Sequence, residues 1–207
     1  MKDIHFRIFG KEILAIIGKD NNQIPGVAVM GRNIITVYDH FIVKLSADQL
    51  KDTVISNNLI AEHITENNLS DCEGQSFPVS LMKNYLQEQP ERVFGYIFYD
   101  AETRKFVGYY WTALRGADEI QYRIRHIDAY NFNLCVAPEF RGRGYAQMII
   151  AWLFKYVLAP RGIDIAYSAI RTNNVASLRA HEKFGAEIVG RKRFVRILRV
   201  NIPYCTI

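Results

Sequence analysis

No apolar run in this sequence approaches the roughly 20 residues that a helix needs to cross a bilayer. The best apolar stretch near the start, Ile13 to Ile17, is short and follows Lys11 and Glu12, a poor match to a secretory leader. The expectation is a cytoplasmic protein without a membrane span. Cysteine is scarce too. The three residues, Cys72, Cys135 and Cys205, are far apart, odd in number and without C-x-x-C spacing. That argues against a disulfide framework and against a zinc site, and no metal is expected. Cys135 as a nucleophile would need a lowered pKa and a base, so it reads as a small buried apolar residue. Repeats and low-complexity stretches are absent. So is any G-x-x-x-x-G-K-[ST] run, which excludes a P-loop.

What is present is ordinary globular material. The 207 residues are 49 % hydrophobic and 23 % charged, enough for one large domain, or a domain with an extension, around a sizeable core. The net charge of +5 suits an acidic small molecule, a nucleic acid or a membrane surface. The densest basic run, Arg191-Lys192-Arg193 with Arg196 and Arg199, is interleaved with Phe194, Val195, Ile197 and Leu198. That alternation is a solvated strand face, and a nucleic-acid partner is not expected.

The most informative stretch runs from Asn131 to Leu158. Phe132 to Val136 is a short run of strand formers, and Pro138 ends it. Arg141-Gly142-Arg143-Gly144 follows. From Tyr145 the apolar residues Ala146, Ile149, Ile150, Leu153 and Val157 recur at helical spacing, and only the Gln147, Ala151, Lys155 stripe lacks large apolar groups. The spacing predicts a helix buried on most sides. The first amides of a helix have no internal partner and sit at the positive end of its dipole, so a strand, glycine loop and helix in series form an anion site. A dinucleotide fingerprint does not fit, because Gln147 stands where its third glycine belongs and Asp164 lies near the start of the next strand rather than its end. What remains is R-x-x-G-x-A, Arg141 to Ala146. Alone it is equally an ordinary tight turn.

A second stretch, Asn174 to Ala186, reads N-V-A-S-L-R-A-H-E-K-F-G-A. Together, in this order, the two stretches resemble the acyl-CoA site of the GNAT acetyltransferase superfamily. Asn174, Ser177, Glu182-Lys183 and Gly185 fall on its N-x-x-[AS]-x-x-x-[YH]-E-K-x-G pattern, and the resemblance covers roughly Glu91 to Phe194. It implies acetyl-CoA, or another acyl-CoA, as cosubstrate. Arg141, Gly142, Arg143, Gly144, Tyr145 and Ala146 would cradle the pyrophosphate. Leu134, Cys135 and Val136 would pair with the pantetheine arm, with Asn174 and Ser177 beside it. The family strand before the loop splays from its neighbour to make room for that arm. His181 stands where many members carry a tyrosine that protonates the leaving thiolate. Histidine can donate a proton near neutral pH, yet His181 also lies on the Leu178, His181, Phe184 stripe of a core histidine. The glutamate base of many members would fall near Tyr130. Asp128 lies two residues earlier, on the same strand face, and could serve instead. Tyr130, Asn131 and Asn133 would line the acceptor pocket.

Along the chain, the expectation is a 1-33 extension (hairpin or short helix) and a GNAT domain over 34-207. Phe6 to Ile17 reads as a short helix broken by Gly10. Val27 to Met30 and Ile34 to Leu45 read as strands. Ser46 with Gln49 forms a capping box opening a helix through Ile64. Ser80 to Gln89 is a helix, Arg92 to Tyr99 and Phe106 to Leu114 a hairpin, Tyr122 to His126 strand or loop, and Ile127 to Val136 the strand before the loop. Ile163 to Ile170 is a strand, Asn173 or Asn174 caps a short helix ended by Gly185, and Ile188 to Phe194 and Ile197 to Ile202 close the chain as strands. The fold class is α/β with a mixed sheet, and the element order is that of the GNAT fold. The expected activity is direct acyl transfer to a primary amine of a small molecule or protein. A non-catalytic acyl-CoA sensor or scaffold is the alternative, since the tyrosine and glutamate are missing. The N-terminal region is expected to serve a particular acceptor or a homodimer contact.

Overall fold

The computed structural model describes residues 2–8, 11–17, 35–74, 79–117, 127–197 and 200–203. The chain divides into two compact units, Met1–Val37 with Phe194–Ile207, and Tyr38–Arg193. The first unit contains an antiparallel hairpin of β1 (Lys2–Ile8) and β2 (Lys11–Ile17), with Ile4 opposite Ala15 and Phe6 opposite Ile13. This corrects the expected short helix. The segment is rich in isoleucine, whose branched Cβ disfavours helix and suits a strand. Val27 to Met30 and Tyr122 to His126 lie outside the described residues.

The second unit is built on a mixed sheet. β3 (Ile35–Ser46) enters it from the first unit. The next elements are β4 (Leu59–His63), α1 (Val79–Glu88), β5 (Val93–Asp100) and β6 (Phe106–Leu114). β7 (Ala129–Val136), α2 (Tyr145–Leu153), β8 (Ile165–Arg171), α3 (Val175–Glu182) and β9 (Glu187–Ile197) complete it. The strand order is β9-β3-β8-β7-β6-β5-β4. The pair β7 and β8 is parallel, and β4-β5, β5-β6, β6-β7 and β3-β8 are antiparallel. In the first unit, β10 (Val200–Pro203) runs antiparallel to the last residues of β9.

The capping box at Ser46 forms, with Ser46 N donating to Gln49 Oε1 at 2.8 Å, but it opens only a short 3-10 turn, Ala47–Leu50. The helix expected through Ile64 is absent, and Leu59–His63 is a sheet strand instead. Thr53, Val54 and Ile55 are β-branched, and Ser56-Asn57-Asn58 compete with a helix through their own side chains. Pairing with β5 then claims the remainder. Gln49 has a second duty. Its Nε2 donates to Gly185 O at 2.6 Å and ties the turn to the end of α3.

α2 is as buried as its sequence demands. Ile149, Ile150 and Leu153 have no exposed surface, each stabilising the fold by about 1.5–3 kcal/mol. They pack in one core cluster with Phe94, Phe98, Val107 and Tyr110 of β5 and β6. The helix then widens into a π-turn, Phe154–Leu158, whose Val157 and Leu158 are buried as well. No helix among the described residues is long and apolar enough to cross a membrane.

Candidate functional site

The site is assembled at one end of β7, where the strand is irregular on both sides. Toward β6 the register passes from Trp111↔Phe132 to Tyr109↔Cys135, so β7 carries one extra residue there. Asn133 absorbs it at φ 52, the left-handed conformation that asparagine tolerates better than other side chains. The backbones close up beyond the bulge. A Cβ on Gly108 would lie 2.2 Å from Cys135 O. Toward β8 the parallel ladder holds only Tyr130↔Tyr167 and Asn131↔Ser168. Past that rung the two strands part, and Leu134 to Val136 have no ladder partner on β8. The splay that the family resemblance implies has its counterpart in this open edge, and opposite it, on the β6 side, lies a bulge that the sequence reading missed. Asparagine within an apolar strand was the available signal.

At the tip of the fork Pro138–Phe140 makes a 3-10 turn, and the glycine loop follows. Gly142 and Gly144 adopt φ 75 and 84, and a Cβ on either would meet no protein atom within 4 Å. Their glycine identity is therefore a matter of backbone conformation beside open space, which is what a ligand-cradling loop requires. Gly144 caps α2 with no side chain over the helix end. Arg141 and Arg143 are exposed, Tyr145 sits edge-on to Phe140 at 5.0 Å, and Ala146 is half-buried in the first turn. Arg141 Nε donates to Val136 O at 2.8 Å, so one backbone acceptor at the fork is held by the loop itself.

The second motif forms α3. Asn174 caps it through Oδ1, which accepts from Ser177 N at 3.1 Å, so this oxygen is committed to the helix. Ser177 is half-buried, and its carbonyl receives His181 Nδ1 at 2.8 Å. A carbonyl only accepts, so Nδ1 carries the proton and Nε2 of neutral His181 is a bare lone pair. Nε2 is buried and has no hydrogen-bond partner. Burial lowers the pKa of His181, and the Ser177 bond opposes this only in part. At neutral pH His181 is therefore uncharged and has no proton on Nε2 to give.

The other candidates fall in three different surroundings. Asp128 lies just before β7, exposed, with Oδ1 2.5 Å from Arg115 Nη2. Tyr130 is buried, its ring stacked on Phe132 at 5.8 Å. Asn131 is also buried and accepts from Thr112 Oγ1 at 2.9 Å. Cys135 is buried, as expected of a small apolar residue, and burial drives the Cys72 thiol up to about 12. The basic run at β9 is partly neutralised, with Arg191 Nε and Nη2 gripping Asp39 at 2.7 and 2.5 Å.

Three comparisons bear on this geometry. A family model described as the acetyltransferase (GNAT) family matches residues 62–186. A phosphinothricin N-acetyltransferase of Streptomyces coelicolor is 34 % identical over 98 residues, covering 46 % of this chain and 53 % of the relative. The chain thus spans about half the length of the curated relative it matches. Among solved structures, a tandem GNAT protein from the clavulanic acid biosynthesis pathway superposes with a TM-score of 0.61 at 13 % identity, over 77 % of this chain and 53 % of that one. A GCN5-related N-acetyltransferase-like protein from Streptococcus suis gives 0.55 at 13 % identity, over 79 % and 63 %. At these identities the structures speak for the fold, and the family model speaks for the sequence. The chain belongs to the GNAT acetyltransferase family.

Proposed function

We propose that this protein transfers an acetyl group from acetyl-CoA directly to a primary amine of a small molecule or protein, in the cytoplasm and without a metal. The observation that carries the reading is the fork between β7 and β8 opening onto the glycine loop. Membership of the family and the N-acetyltransferase name of the Streptomyces relative support the reaction class.

Bound acetyl-CoA supplies an activated carbonyl and a sulfur leaving group. The chain holds it and moves one proton. Backbone groups of Leu134, Cys135 and Val136 on the β8 side pair with the amide-bearing arm as an added strand would. The amides from Arg141 to Ala146 and the end of α2 receive the phosphates, with Arg143 beside them. Arg141 exchanges Val136 O for phosphate. His181 starts neutral, so its role is a relay: Nε2 takes the proton from the attacking amine and passes it to the departing sulfur. Ser177 fixes the tautomer that makes this possible. Tyr130 borders the acceptor from β7. Asp128 would have to release Arg115 before acting as a base, and the relay does not require it.

A non-catalytic acyl-CoA-binding module is the second reading, favoured by the commitment of Asp128 to Arg115. One pair of measurements separates the two. At about a thousand times its dissociation constant, acetyl-CoA should stabilise the fold by roughly 4 kcal/mol in a thermal melt. Free thiol should then appear when a panel of primary amines is added. A melt indifferent to millimolar acetyl-CoA sinks both readings, and stabilisation with no thiol release from any amine favours the module.

A further inference from the structure

Side chains tie three strands together at the point where the sheet forks. Thr112 of β6 donates to Asn131 of β7 at 2.9 Å, and the Tyr110 hydroxyl of β6 lies within interaction range of both Asn131 and Ser168 of β8. All four residues are buried, Thr112 completely and Ser168 to within 8 %. They lie on one face of the sheet: Tyr110 and Thr112 alternate along β6, Thr112 is opposite Asn131, and Asn131 is opposite Ser168.

The placement is specific. Asn131↔Ser168 is the last rung between β7 and β8. Tyr110 is the residue of β6 at the bulge, between Tyr109 and Trp111. From there its ring crosses β7 to reach β8, two strand spacings or roughly 10 Å away. The fork needs such a tie. Open inner edges leave backbone groups without strand partners, which is a cost. β8 continues in regular pairing with β3 as far as Arg171, so β8 itself remains straight enough to accept more rungs. A two-rung parallel ladder is also a weak hold by itself.

We propose that Tyr110, acting with Asn131 and Ser168, is a positioning device that fixes where β7 and β8 part and so sets the groove for the acyl-CoA arm. These residues touch no substrate and act through the backbones of the two strands. Asn131 accordingly leaves the acceptor pocket for this role. A buried polar network whose members satisfy one another is rigid, as a fixed groove requires. The inference rests on the acyl-CoA reading above.

Tyr110→Phe and Ser168→Ala each remove one link at little change in shape. Titration calorimetry would compare acetyl-CoA with adenosine 3′-phosphate 5′-diphosphate, which carries the phosphates without the arm. In each variant acetyl-CoA should bind about tenfold more weakly, with KM raised in step and kcat within about twofold, because the ground-state fit of the arm is what is lost. The nucleotide should bind as it does to the wild type. A variant that is merely less stable would melt earlier with the ratio of the two affinities unchanged, and that result overturns the proposal. Unchanged affinities in folded Ser168→Ala overturn it as well, even if Tyr110→Phe fails to fold. Wild-type protein that binds neither ligand overturns the acyl-CoA reading itself, and this inference with it.

Discussion

The two edges of β7 are treated in opposite ways. Toward β6 the strand is paired from Ala129 to Val136, and past the bulge the backbones are so close that Gly108 has no room for a methyl group. Toward β8 it is paired at two residues and then left open. The tightly paired edge fixes the strand, and the underpaired edge is the one that the proposed function uses. A sheet becomes a ligand groove by leaving one edge unfinished, provided that the other edge determines where the strand lies.

The largest expected effect comes from damaging the closed edge. Gly108→Val would drive its side chain into the Cys135 carbonyl, a backbone atom that cannot rotate away. Such overpacking costs about 3 kcal/mol or more. In a chain of this size that lowers the melting temperature by about 6–12 °C. A melt like the wild type's would show that the β6-β7 edge can yield.

Gly144→Val attacks the open end instead. No protein atom stands where the new Cβ would go, so the free protein bears only the strain of a positive φ, on the order of 1–3 kcal/mol. Acetyl-CoA binding should nevertheless fall at least about a hundredfold, since the side chain takes the space of the phosphates. Titration with unchanged affinity would make Gly144 an ordinary turn residue.

A smaller effect sharpens the division between holding and reacting. His181→Ala should lower kcat by about a hundredfold with little change in acetyl-CoA affinity, and His181→Tyr should recover part of it. Full activity per folded molecule in His181→Ala would remove the relay.

The smallest effect is on pH dependence. Burial, with Arg171 nearby, lowers the pKa of His40 to about 4, from an ordinary value of 6.5. The unfolded chain therefore takes up this proton first as the pH falls. The stability contributed by neutral His40 is complete above about pH 6.5 and is lost progressively between there and about pH 4. His181, also lowered by burial, acts in the same direction. Melting temperatures measured from pH 7 to 4 should fall, and less steeply in His40→Phe. Parallel curves would mean that His40 does not contribute.

Elements with strong local signals were legible. The glycine loop, α2, the β5-β6 hairpin and the Asn174 cap follow from turn residues, periodicity and capping, all of which act within a few residues. What was missed depends on partners far away in the sequence. Leu59–His63 alternates too weakly to announce a strand, and β5 makes it one. Nor does Tyr110 reveal its reach, because Ser168 is placed beside it by the fold alone. For His181 the place on the helix was legible and its hydrogen bond was not, since that depends on a carbonyl one helical turn away.

The extra residue at Asn133 has a consequence for the phase of the strand. Phe132 and Cys135 are paired with Trp111 and Tyr109, which alternate along β6 and so lie on the same face. Phe132 and Cys135 therefore share a face although an odd number separates them, and Leu134 and Val136 fall on the other, against the α2 core. The two halves of β7 are written in different frames. Deleting any one residue between Phe132 and Cys135 would restore a single frame and remove the bulge, leaving Cys135 and Val136 on the faces they now occupy. The bulge is in this sense encoded by parity, which no substitution alters and a change of length by one residue does.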